Sequence, residues 1–240
     1  MNDIEVAVIN KSSVVTDEVV QGVVPALQTQ VNRDFAPIWG TGANLKFVAQ
    51  NSKPSKGAWW LVILDNSDQA GALGYHDMTT EGLPMSKVFA KTIQKYKEHW
   101  SVAASHELLE MLADPNINLT VFEEFKNGGR LYAHEVCDAC QSENFDYKID
   151  NVLLSDFVYP AWFESFRKSD SAQFDYQNKI TKPFQLLKGG YIGVYDVNSG
   201  SGWKQITADE HDFRARPPVG SRRERRTIPI SERIPSTAFS

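Results

Sequence analysis

The residues best equipped for chemistry lie in Ser105-His106-Glu107-Leu108-Leu109-Glu110, where an imidazole and a carboxylate stand four positions apart with a second carboxylate between them. At about 100° per residue, His106, Glu110 and Asp114 fall within a sector of about 80°, while Leu108, Leu109 and Leu112 cover the opposite side of the same helix. Donors one helical turn apart can hold a divalent cation, and the adjacent Glu107 is placed to act as a general base on water beside it. The chemistry so encoded is metal-assisted hydrolysis, most simply of a peptide bond.

In the His-Glu-x-x-His pattern of zinc peptidases both helical ligands are histidines, whereas Glu110 takes the second place here. A carboxylate oxygen ligates zinc at about 2.0–2.2 Å, so the geometry is kept, but the preference moves toward harder cations. A second cluster follows in Tyr132-Ala133-His134-Glu135-Val136-Cys137-Asp138-Ala139-Cys140. Glu135 and Asp138 would share a face if this stretch turns helically, and either could be the third ligand. Glu135 is the favoured one, with Asp138 as a further ligand or a partner of the ligands. Cys137 and Cys140 are a softer alternative, otherwise two reduced cysteines, because no thioredoxin-like pattern surrounds them. Asp114, preceding Pro115, is expected to end the helix, and His76 is expected to be an ordinary edge-strand residue.

These groups need elements to hold them. Ile4 to Ile9 reads as a strand, and Thr16-Asp17-Glu18 as the capped start of an amphipathic helix over 17–35, divided or kinked at Pro25 and ended by Ala36-Pro37 and Gly40. Leu45 to Val48 is a short strand, and the apolar run Trp59 to Leu64 a buried central one. Residues 72–77 and 87–90 are weaker strands around a Gly-Leu-Pro turn, and the site helix is predicted over 99–112. Between 116 and 165 regular signals are few beyond 132–139 and 151–154, and a hairpin is expected over 191–195 and 202–206.

The chain has 240 residues with 42% hydrophobic and 23% charged, enough for a real core. Residues 211–240 carry seven arginines against three acids, a net +4, which leaves the rest of the chain at −9 within the total of −5. An acidic body argues against general nucleic-acid binding and suits a site that holds a cation. No long apolar run marks a membrane span, and the acidic start Met1-Asn2-Asp3-Ile4-Glu5 does not read as an export signal, so a cytoplasmic protein is expected, with a virion location as the other setting. After Ala208 periodicity stops. A body over 1–208 and an extended Arg- and Pro-rich arm over 209–240, available for subunit contacts, are expected.

The run Trp100 to Pro115, followed by Glu135-Val136-Cys137-Asp138-Ala139-Cys140, resembles a group of bacterial and phage proteins with a Ser-His-Glu-x-x-Glu…Asp-Pro helix and a later Glu-x-x-Asp-x-Cys element. The order of elements over roughly 1–140 is also similar to zincin-like metallopeptidases, and the closer match spans about 17–206. The resemblance implies an α/β (α+β) zincin-like mixed sheet. It also implies zinc or another divalent cation on His106, Glu110, Glu135 and Asp138, with Glu107 catalytic and a peptide or protein as substrate. The alternative is a zincin fold without turnover, such as a virion component that uses its arm for homo-oligomeric or assembly contacts. The lost second histidine favours it.

Overall fold

The computed structural model describes residues 4–69, 72–142, 144–199 and 202–208. Strand β1 (Ile4–Asn10) is buried along most of its length, as a central strand must be. It pairs in parallel with β2 (Ala43–Val48) and β3 (Trp59–Leu64), and β3 pairs in parallel with β5 (Pro84–Phe89). Strand β4 (Gly74–Met78) runs antiparallel to β5 at the sheet edge, giving the order β2-β1-β3-β5-β4. Alternation sorts the side chains to two faces. Val6, Val8, Leu61, Ile63 and Val88 enter the main core, while Ala7, Ile9, Val62 and Met85 form a smaller cluster.

Helix α1 (Asp17–Thr29) starts as expected, with the Thr16 side chain accepting from Val19 N. The expected division at Pro25 is not there. Pro25 and Gln21, whose carbonyl it deprives of a donor, are both exposed, so that carbonyl is open to solvent and the helix continues. The change falls instead at Gln30–Phe35, a π-helical segment, and a last turn α2 (Ala36–Trp39) carries the chain past the expected end. Gly40, at φ 74°, supplies the left-handed stop.

After β5 a short helix α3 (Ala90–Lys95), which the sequence pattern did not signal, leads to α4 (Trp100–Ala113) within a residue of its expected bounds. Residues 116–165 hold more regular structure than expected. Strands β6 (Thr120–Phe125) and β7 (Gly128–Ala133) form a hairpin that joins β10 (Tyr191–Asp196) and β11 (Trp203–Thr207) in a four-stranded antiparallel sheet. The stretch 132–139 is not one element, because β7 stops at Ala133 and a short 3-10 turn covers Asp138–Cys140. A two-stranded ribbon, β8 (Tyr147–Ile149) with β9 (Val152–Leu154), precedes a largely irregular run up to β10.

The result is a mixed α/β protein with one large core that takes residues from the five-stranded sheet, α4 and the four-stranded sheet alike. Among the described residues no helix is long and apolar enough to cross a membrane. The arm expected over 209–240 lies outside the described residues.

Candidate metal centre

Helix α4 packs against β4, β5 and β9. Leu108, Leu109 and Leu112 are buried as expected, but so is the polar side of the helix: His106, Glu107 and Glu110 are no more than 5% exposed. Hydroxyl groups fix its position. Ser105 Oγ donates to Gln30 Oε1 at 2.7 Å and accepts from Ser155 N at 3.1 Å, while Ser86 Oγ donates to the Glu107 carbonyl at 2.9 Å. Asp114 does end the helix, and its carboxylate accepts from Asn118 N and Leu119 N at 3.0 and 2.9 Å. Its role is structural.

The side chains converge on Glu110. Its Oε1 lies 3.2 Å from His106 Nε2 and accepts from Cys137 N at 3.3 Å. Asp138 Oδ1 lies 3.1 Å from the same His106 nitrogen, and this buried oxygen makes no hydrogen bond. On the other side, Glu110 Oε2 and Glu107 Oε2 each stand 3.7 Å from His76 Nδ1. Two donor sets emerge, His106 with Glu110 and Cys137, and His76 with Glu110 and Glu135, each with one ligand atom per residue within 4.8 Å of the others.

The donor chemistry fits a cation. Ligand atoms at about 2.0–2.2 Å from one ion stand about 3–4 Å apart, the range in which these contacts fall. Burial on its own would lower the His106 pKa, but Glu110, Asp138 and Glu107 outweigh it and raise it well above the ordinary imidazole value. Burial, with Glu110 and Asp138 nearby, pushes the Cys137 thiol well up. Both cysteines are free and buried, and only Cys137 belongs to one of the donor sets.

Each expected ligand has a definite place. His106, Glu110 and Asp138 meet directly, whereas Glu135 belongs with His76 and Glu110. Glu107 lies on the His76 side, pressed so closely over β4 that a Cβ at Gly74 would come within 2.8 Å of its Cγ. His76 is not an ordinary edge residue: it is 1% exposed and stands opposite Ser86 on β5, the residue tied to α4. The signal that could have flagged it is Gly74, two positions earlier on the same face of the strand, which admits the close approach of the site helix. His134 joins neither set. Its ring stacks on Phe163 and meets Trp39 edge-on, and burial lowers its pKa.

Comparison with protein-family models, with curated proteins and with solved structures found no match.

Proposed function

We propose that the protein is a divalent-metal-dependent hydrolase, with zinc as the simplest ion and a peptide bond as the simplest substrate. His106, Glu110 and Asp138 would hold the ion, and Glu107 would act as general base. The observation that carries this reading is the meeting of two carboxylate oxygens at 3.1 and 3.2 Å from one imidazole nitrogen, all three side chains being buried. When bound, such an ion supplies Lewis acidity and lowers the pKa of water. Once its proton has left, His106 Nε2 would hold the ion with Glu110 Oε1, Cys137 lies within reach of both, and the otherwise unbonded Asp138 Oδ1 stands 3.1 Å from the same imidazole nitrogen as a further donor. Glu107 is aimed by the backbone of β4, since the space a Cβ at Gly74 would fill is taken by its Cγ and Oε1. Its other oxygen stands 3.7 Å from His76 Nδ1.

The test is equilibrium dialysis of the chelator-treated protein against Zn2+, with hydrolysis of a mixed peptide library measured in parallel. His106→Ala should lower bound zinc and thermal stability together, whereas Glu107→Gln should keep the zinc and abolish hydrolysis. Absence of zinc binding by the unaltered protein would remove the reading altogether.

A second reading rests on the burial of the site. His106, Glu107, Glu110, Glu135 and Asp138 are each no more than 7% exposed, which suits an ion held for the fold in an assembly protein such as a virion component. Zinc that raises the melting temperature of both the unaltered protein and Glu107→Gln, with no hydrolysis by either, would select it. Residues 209–240 would then supply the contacts between copies, and their removal should reduce the size of the particle in solution.

A further inference from the structure

We infer that Glu110 bridges two cation positions, one with His106 and Cys137 on the Oε1 side, where Asp138 also reaches His106, and a second with His76 and Glu135 on the Oε2 side. The inference rests on the metal-binding reading above and adds a second ion to it. Its starting point is a difference in distances across one carboxylate. On the Oε1 side, the contacts with His106 are of hydrogen-bond length, at 3.1 and 3.2 Å. On the Oε2 side, His76 Nδ1 stands 3.7 Å from both Glu110 Oε2 and Glu107 Oε2. That is too long for a hydrogen bond to either oxygen, but it is an ordinary separation between two donors of one ion.

The two donor sets have only Glu110 in common, and they reach it from different parts of the fold. His106 comes from α4 itself, and Asp138 and Cys137 from the turn after β7. His76 comes from the edge strand β4, and Glu135 from the link that follows β7. Glu110 is fully buried between them, with one oxygen recorded against each imidazole. A carboxylate that divides its oxygens in this way is the standard connector of two-ion hydrolytic centres, in which the ions stand about 3.5–4 Å apart.

The donors also differ in kind. The first set has Cys137 within reach and suits a softer ion such as Zn2+, while the second offers one imidazole and two carboxylates and suits a harder ion such as Mn2+ as well. Glu107 lies beside the second position. Its neighbourhood therefore holds an ion that the helix motif alone does not announce.

The experiment counts ions on the full chain after chelator treatment, by elemental analysis following dialysis against Zn2+ alone and against Mn2+ alone. Electron paramagnetic resonance of the Mn2+ sample accompanies it. The expected result is two ions per chain and the signature of a spin-coupled manganese pair. His76→Gln should bring the count to one and replace the pair signal with that of isolated Mn2+, and Glu110→Gln should lower binding at both positions. Circular dichroism establishes that each variant is folded, and the count on the unaltered protein decides the matter if His76→Gln is not. One ion per chain in the unaltered protein overturns the second position and leaves the metal-binding reading intact. No ion at all overturns both.

Discussion

The five-stranded sheet and the mostly irregular run from 134 to 190, which includes the short β8–β9 ribbon, are held together by different means. In the sheet, Val6, Val8, Leu61, Ile63 and Val88 are fully buried and the backbone is satisfied by its own ladder. In the irregular run, acidic side chains turn inward and take the place of a ladder. Asp156 Oδ1 accepts from Phe157 N and Gln177 N at 2.8 and 3.1 Å, and Asp175 accepts from Lys179 N and Ile180 N, the latter at 2.7 Å. Both carboxylates are fully buried. The candidate centre sits on the seam, with His76, His106, Glu107 and Glu110 from strand and helix and with Glu135 and Asp138 from the start of the irregular run. Anything that loosens the irregular run should therefore disturb the centre before it disturbs the sheet.

The largest expected effect is on the apolar side of this contrast. Leu109 is fully buried, so Leu109→Ala should cost about 2–5 kcal/mol in urea denaturation through lost burial and the cavity left behind. An unchanged midpoint would show that α4 is not part of the cooperative core.

A smaller effect is expected where the two regions are tied. Ser105→Ala leaves Ser155 N and Gln30 Oε1 without the hydroxyl between them, at a cost of about 1–3 kcal/mol. Exchange of the Ser155 amide hydrogen should quicken while that of Val8 and Leu61 does not. Equal acceleration in both regions would dissolve the distinction between them.

The smallest effect isolates the acidic stitching. Burial and the neighbouring Asp175 carboxylate raise the Asp156 pKa, so the folded protein holds a proton there that the unfolded chain releases above about pH 3.9. Its contribution is complete below that pH and is lost as pH rises toward the raised folded value. Asp156→Asn should flatten this decline, and at pH 8 it should be as stable as the unaltered protein or more so by about 1 kcal/mol. A stability-against-pH curve that Asp156→Asn leaves unchanged would remove the proton on Asp156 from the account.

How far the sequence could be read follows the same division. The apolar run Trp59–Leu64, the capped start of α1 and the leucine face of α4 were legible because burial imposes a period on the residue types. The meeting of His106, Glu110 and Asp138 follows from helical spacing for the first two and from an acidic cluster of the right type for the third. His76 was not legible. On strand β4, buried His76 and Tyr75 follow one another with no polar alternation, and the face His76 occupies is set by pairing with β5, a long-range fact. The β6–β7 hairpin was hidden as well, because Phe122 and Phe125 are exposed and the strand shows no clean alternation.

The π-helical segment has a consequence for how the chain tolerates change in length. Each of its residues advances the helix by less than the about 100° of an α-helical residue, so Gln30–Phe35 works as a vernier between α1 and α2. That setting brings Gln30 to Ser105 and the Ser155 carbonyl, and Asp34 to the Tyr147 hydroxyl at 2.9 Å. Deleting one residue of the segment, such as the exposed Asn32, would return it to ordinary pitch and rotate both polar side chains off their partners. A frame of one residue, far in sequence from the helix that carries His106 but in contact with it, thus sets whether that helix is seated.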